Sequence, residues 1–92
     1  MEFEHKRFGK CVVADITQKQ LEDFYRALKG SEHEPMPVWR GESVRHAVRL
    51  GILIEPKMEV DQVDKAKPNL IIWLADCIAK TVSEAVEVDP LS

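Results

Sequence analysis

The sequence predicts a small α+β domain in which an N-terminal β-hairpin packs on about three helices and a long C-terminal helix forms the spine. Its 92 residues suit one domain, 1–92, with a single modest core. The first part of the chain alternates between apolar and polar residues, as strands do. The rest places apolar residues at helical spacing, and the longest such run follows Lys67. A hydrophobic content of 45% and a charged content of 32% are typical of a globular protein.

Two alternating stretches, residues 2–7 and 10–16, meet at Phe8-Gly9 and predict the hairpin. An isolated hairpin is only marginally stable in water, so its apolar side must lie against a helix. The side chains expected to make this contact are Phe3, Val12, Val13 and Ile16.

A first helix is predicted over residues 18–29. Thr17 and Gln20 have the spacing of a capping box, in which each side chain accepts a hydrogen bond from the backbone N–H of the other residue. Gly30 follows at a position where helices commonly end in a left-handed residue. One apolar stripe runs along this helix through Leu21, Phe24, Tyr25 and Leu28.

The middle of the chain is predicted to be less regular. Residues 31–40 contain two prolines and no periodicity, which indicates a loop. A short helix is expected over residues 43–50, ended by Gly51. Residues 52–54 are apolar but too few to classify, and they fit either a β-segment or a buried connector.

A single helical turn capped by Asp61 is expected just before the long helix, which is predicted over residues 67–89. Pro68 suits the first turn, because its missing N–H has no partner there and its φ is already helical. Asp89 precedes Pro90, which pushes it out of the α region and supplies the stop.

At about 100° per residue, the long helix has an apolar face and a polar face. Trp73 falls with the polar residues although its ring is large and mostly apolar. The face predicted to be buried consists of Ile71, Leu74, Ala75, Ile78, Val82, Ala85 and Val86. The polar face consists of Asn69, Asp76, Lys80, Ser83 and Glu87.

Residue spacing in the sequence gives no support for catalysis or metal binding. The three histidines and two cysteines have no metal-ligand spacing, and neither C-x-x-C nor H-E-x-x-H occurs. No serine or cysteine has a positioned base beside it, and the four glycines are isolated, so no phosphate-binding loop forms. We therefore expect no enzyme activity, no cofactor and no metal. Cys11 and Cys77 are expected to be small buried hydrophobes in a reducing compartment.

Charge and hydropathy predict a cytoplasmic protein with no membrane contact. The net charge of −3 gives no general attraction to nucleic acid or to anionic lipid. The first ten residues carry charges throughout and lack the apolar core of a signal peptide. The longest run without a charge, residues 68–75, is far shorter than a transmembrane helix requires.

Three stretches resemble a recurring pattern in small proteins from the structural gene clusters of tailed bacteriophages. The first is the hairpin followed by D-I-T-x-x-Q-L-E-x-F over residues 15–24. The second is W-R-G-E-S-V-R-x-A-x-R-x-G over residues 39–51. The third is K-P-x-x-x-x-W-L-A-D-x-I-A over residues 67–79, followed by the acidic and apolar end E-A-V-E-V-D-P. The whole pattern is similar to tail assembly chaperones, which hold tape-measure and tail-tube components before these polymerise.

This resemblance implies a non-catalytic protein–protein interaction role in phage morphogenesis. The partners would be tail-tube or tape-measure components, and the location would be the host cytoplasm. A virion component or a phage-encoded inhibitor fits the same residues.

The residues predicted to bind a protein partner are Trp73, Cys77 and Trp39. Trp73 and Cys77 lie one helical turn apart at the edge of the polar face, and tryptophan is enriched among residues that dominate binding energy. One apolar patch can meet its own copy across a two-fold axis, so a homodimer or higher oligomer is expected. Coverage of Trp73 within the monomer, by the hairpin or by the stretch around Trp39, remains an open alternative.

A small nucleic-acid-binding regulator is the rival interpretation. Its binding face would contain Arg40, Arg45 and Arg49, since the last two lie four residues apart on one helical face and could contact phosphates. The competing interpretation is that these arginines pair with nearby carboxylates such as Glu42, which would leave a neutral surface. Because the rest of the chain is acidic, nucleic acid is the less favoured partner.

Overall fold

The computed structural model of the chain describes residues 1–87 and confirms the α+β fold. A three-stranded antiparallel sheet in the order β1-β2-β3 packs on helices, and the longest helix lies nearest the C-terminus. The elements within the described part are β1 Glu2–His5, β2 Gly9–Val13, α1 Gln18–Leu28, α2 Met36–Arg49, β3 Leu53–Glu55, α3 Val60–Lys65 and α4 Pro68–Val86.

The predicted hairpin is confirmed, with a register that runs from Glu2 opposite Val12 to His5 opposite Gly9. Strand β2 ends at Val13, three residues before the predicted end. Because side chains alternate across a strand, Cys11 and Val13 point into the core and are 0% and 1% exposed. Val12, which was expected to share this contact, is half-buried.

The short apolar stretch after α2 forms the third strand, which resolves the alternative that the sequence left open. Leu53 pairs with Val13 and Glu55 with Val12, with an irregularity between the two β2 residues. Ile52, just before the strand, is fully buried. The third strand therefore extends the hairpin along the free edge of β2.

The capping box at the start of α1 is confirmed. The backbone N–H of Gln20 donates to Thr17 Oγ1 at 3.2 Å, and the N–H of Thr17 donates to Gln20 Oε1 at 3.1 Å. The helix ends at Leu28, one residue before its predicted end, and Gly30 has the left-handed φ of +94°.

The loop predicted over residues 31–40 is wrong for its second half, because α2 begins at Met36. Pro35 is the N-cap, and Pro37 lies in the first turn, where a missing N–H costs nothing. The carbonyl of Pro35 already accepts hydrogen bonds from the N–H groups of Val38 and Trp39, at 2.9 and 3.0 Å, so Pro35 starts the helix. Gly41, which precedes the helix predicted over residues 43–50, lies inside α2.

Helix α3 starts two residues earlier than predicted, and its N-cap is Glu59 rather than Asp61. The N–H of Glu59 donates to Gln62 Oε1 at 2.6 Å, an interaction that the sequence analysis did not anticipate. Helix α4 begins at Pro68 as predicted and ends at Val86. The predicted stop at Asp89 lies outside the described residues.

Helix α4 is the spine of the core, as predicted. Its most extensive packing is against α2, and it also packs on β2. The buried part of its predicted apolar face comprises Ile71, Leu74, Ala75, Ile78 and Val82. At its end, Ala85 and Val86 are exposed, so the buried face stops one turn early. Within residues 1–87, no helix is both long enough and apolar enough to cross a membrane.

Candidate partner-binding grooves beside helix α2

Helix α2 has an opening on each side of its N-terminal half. The first opening, here called the Trp39 groove, lies between α1, α2 and α4 and has a volume of about 300 Å³. Its floor is apolar and includes Phe24, Leu28, Ile78 and Val82, all of which are at most 7% exposed.

The rim of the Trp39 groove carries large apolar side chains that are open to solvent. Tyr25 on α1 is 55% exposed and Val86 at the end of α4 is 48% exposed. Trp39 is half-buried between these helices. Its carbonyl oxygen accepts a hydrogen bond from Ser43 Oγ at 3.0 Å, one turn further along α2. The tryptophan is therefore held by the first turns of a helix and not by a loop.

Trp73 lies at a different place, under the turn of the hairpin. Its ring centroid is 5.8 Å from that of Phe8, with the planes inclined by 26°, and 5.4 Å from that of His5. Arg7 lies over the ring of Phe8, with its guanidinium carbon 5.5 Å from the ring centroid. The hairpin turn thus covers part of Trp73, and the ring remains half-buried.

Cys77 is buried and contributes no surface to a partner of the folded chain. It is 2% exposed and faces Cys11 of β2, which is fully buried, and both are free thiols. Burial raises the pKa of Cys11 to about 12, and the neighbouring Cys77 adds to this shift. Burial also raises the pKa of Cys77. Both sulfurs are therefore neutral core atoms, as the sequence predicted for two buried hydrophobes.

The second opening, here called the Arg40 cleft, lies between α2, α3 and the start of α4, with a volume of about 460 Å³. Its apolar walls include Val63, Ile71 and Ile72, and Arg40 and Arg45 lie along the α2 side. The two openings share no lining residue. Two of the three predicted arginines thus line a cleft that the sequence did not indicate.

Arg45 joins α2 to α3 by ion pairs. Its Nε and Nη2 lie 2.8 and 2.7 Å from Asp64 Oδ1, and its Nη1 lies 2.7 Å from Glu42 Oε1. The hydrogen bond with Asp64 raises the pKa of Arg45. A Cβ on Gly41 would lie 3.1 Å from Arg45 Nη1, so the glycine leaves room for the guanidinium against the helix.

These ion pairs weaken the proposed nucleic-acid face. Arg45 is engaged by two carboxylates, and this is the pairing that was expected to leave a neutral surface. Arg49 is exposed, with Nη1 3.3 Å from His46 Nδ1. His46 Nε2 lies in turn 3.3 Å from Glu42 Oε2. The three arginines therefore do not present one free cationic surface.

No cluster of three or more metal-ligating side chains occurs among residues 1–87. The residue that sequence reasoning missed is Asp64, which lies 19 positions from Arg45 and carries no local signal of the pairing. The glycine inside α2 was the available clue, because an interior helical glycine costs stability unless packing requires it.

Comparison of the chain with protein-family models, with curated proteins and with solved structures finds no match.

Proposed function

We infer that this chain is a non-catalytic protein-binding module that holds an apolar segment of a partner in the Trp39 groove. The supporting observation is a half-buried tryptophan between two exposed apolar rims, Tyr25 and Val86, above a buried apolar floor. A groove between helices is a common docking place for an amphipathic helix. Tyrosine and tryptophan are also the side chains most often found to dominate binding energy.

The resemblance to tail assembly chaperones supplies the class of partner. A tail-tube or tape-measure component would present an apolar segment that must stay covered until it polymerises, and the groove offers such cover in the host cytoplasm. A virion component or a phage-encoded inhibitor would use the same surface on a different partner. The phage assignment stays a prediction that rests on the sequence pattern.

Self-association through Trp73 also stays a prediction. The hairpin turn lies over part of this ring, so less of it is free to meet a second copy. Trp39, by contrast, borders an open groove, and we place it at the centre of the partner surface.

Co-expression with the tail-tube and tape-measure proteins of the same genome tests this proposal. Tyr25→Gln combined with Val86→Gln removes two exposed rim contacts and should leave the fold intact, since surface substitutions usually change stability by about 0.5 kcal/mol or less. We expect the double variant to lose the co-purified partner, because truncated binding residues commonly cost about 2 kcal/mol, or roughly thirtyfold in affinity.

Ile54→Gln is the matched control, because Ile54 is 45% exposed but lies on β3, away from the groove. It should retain the partner. If the double variant captures as much partner as the control does, the Trp39 groove is not the binding surface. If neither phage component binds the unaltered chain, the tail-assembly assignment is wrong.

A further inference from the structure

We propose that the Arg40 cleft is a second binding site, which takes an acidic, apolar protein segment: a carboxylate adjacent to a bulky apolar side chain. This site is independent of the Trp39 groove, because the two openings lie on opposite sides of α2 and have different linings. Three features of the cleft support this choice of ligand: an apolar interior, a lining arginine that forms no ion pair within residues 1–87, and apolar side chains around its mouth.

The interior of the cleft suits a bulky apolar side chain. Val63 and Ile71 are 3% and 7% exposed and form its inner wall, while Ile72 is 39% exposed at its edge. Pro37 and Pro68 contribute further apolar surface. A volume of about 460 Å³ is within the range of specific ligand sites, which are mostly apolar with a few placed polar groups.

The charge of the cleft favours an anionic group. The charged residues among those that line it are Arg40, Arg45 and Asp64. Arg40 forms no ion pair with a residue in the range 1–87. Asp64, the carboxylate of the cleft, is already bound by Arg45. The lining therefore has one more cation than anion, on a chain of net charge −3, and Arg40 can attract a carboxylate.

The surroundings of the cleft favour a protein segment over a nucleic acid. Met36 and Val38, on either side of Pro37 in the chain, are 56% and 43% exposed, so apolar surface continues beyond the opening. A longer peptide can cover such surface. Sites for single-stranded nucleic acid instead combine phosphate contacts with aromatic side chains on which bases stack, and no aromatic residue lines this cleft.

Selection from a random dodecapeptide library displayed on phage, with the full chain immobilised, tests the proposal. We expect the enriched peptides to contain glutamate or aspartate next to leucine, isoleucine or phenylalanine. Synthetic copies of these peptides then give affinities by fluorescence anisotropy. Arg40→Gln should weaken binding about tenfold or more, since a hydrogen bond to a charged group contributes about that factor.

Arg49→Gln is the matched control, because Arg49 lies on the same helix, is exposed and does not line the cleft. It should leave the peptide affinity unchanged. Replacing glutamate by glutamine in the peptide should weaken binding as much as Arg40→Gln does, and the two changes together should cost little more than either alone. Ile72→Gln should also weaken peptide binding, because it removes apolar surface of the cleft that would contact the apolar side chain of the peptide.

Several outcomes would overturn the proposal. They are the absence of any enriched peptide, enrichment of apolar peptides without acidic residues, or an equal response to Arg40→Gln and Arg49→Gln. Binding of a single-stranded oligonucleotide that both arginine variants weaken would assign this face to nucleic acid. Peptides that bind the Tyr25→Gln, Val86→Gln double variant poorly but ignore Arg40→Gln would refute this cleft while supporting the Trp39 groove.

Discussion

At the scale of single residues, Trp73 is placed by its contacts with the hairpin turn. Its ring stacks on Phe8 and meets His5, both within 6 Å between centroids. These residues are more than 60 positions away in the chain, so the contact fixes the hairpin on α4. A tryptophan on the polar face of the helix is therefore explained within the monomer, without requiring a partner.

We expect Trp73→Ala to lower the free energy of unfolding by about 2–3 kcal/mol. This is less than the roughly 3–5 kcal/mol of a fully buried aromatic residue, because the ring is half-buried. Trp73→Phe keeps the stacking and should lose much less. Chemical denaturation followed by circular dichroism measures both variants. Unchanged stability of Trp73→Ala, with a wild-type dimer lost in sedimentation, would instead support the predicted homodimer.

The raised pKa of Cys11 predicts that the stability of the fold falls at alkaline pH. This pKa is raised to about 12 in the folded chain, from an ordinary value of 9.0, so the folded state holds the thiol proton more tightly than the unfolded state. The associated stability is complete below pH 9 and is lost as the pH rises towards 12. The stability advantage of wild type over Cys11→Ala should therefore shrink by about 1.4 kcal/mol between pH 8 and pH 10.

Urea denaturation of both proteins at each pH measures this difference, in which contributions common to the two proteins cancel. Cys11→Ser is not a suitable control, because it buries a hydroxyl in an apolar site. A constant difference across this pH range would mean that the thiol is not protected from ionisation by the fold.

At the scale of elements, α2 depends on a glycine that an isolated helix would not favour. Gly41 costs up to about 1 kcal/mol relative to alanine in a helix interior. It allows the Arg45 guanidinium to lie against the backbone while it reaches Asp64 on α3. The unfavourable helix propensity of Gly41 in α2 is therefore linked to the contact of Arg45 with Asp64 on α3.

We expect Gly41→Ala to be nearly neutral or destabilising in the wild type, because the new Cβ would displace Arg45. In an Arg45→Met background the same change should stabilise the fold by about 0.5–1 kcal/mol, through helix propensity alone. Thermal unfolding of the four proteins of this double-mutant cycle gives the coupling energy. In an Arg49→Met background, the control, Gly41→Ala should behave as it does in the wild type.

If Gly41→Ala gives the same stabilisation in all backgrounds, the Arg45 contact does not require the glycine. The two openings beside α2 would then be shaped independently of this residue. A change in Arg40 cleft binding on Gly41→Ala, by contrast, would link the packing of α2 on α3 to the proposed second site.

At the scale of the whole molecule, the distribution of charge opposes nucleic-acid binding. The chain has a net charge of −3, and its central arginine, Arg45, is bound by two carboxylates. We expect no mobility shift with duplex DNA or single-stranded RNA at about 0.15 M salt, because a protein that makes only a few phosphate contacts binds nucleic acid weakly at that salt concentration. A shift that Arg40→Glu plus Arg49→Glu abolishes, with an unchanged circular dichroism spectrum, would reinstate the regulator interpretation.

Much of the secondary structure follows from local sequence. The capping box of Thr17 and Gln20, the glycine after α1 and the proline that begins α4 each act within one helical turn. The buried positions Phe24 and Leu28 on α1, and most of the buried face of α4, follow from spacing. The start of α2 was predicted too late because Pro35 and Pro37 were interpreted as loop residues, and proline is also favoured at the first turn of a helix.

The sequence by itself determined the fold class, the hairpin, the capped first helix and most of the buried face of the spine, because these depend on backbone geometry and on neighbours within a few residues. Only the tertiary structure decided where Trp73 packs, how Arg45 reaches Asp64 and where the two openings lie beside α2. Such contacts join residues far apart in the chain, and their formation depends on how all the elements pack at once. A local pattern contains no information on that packing.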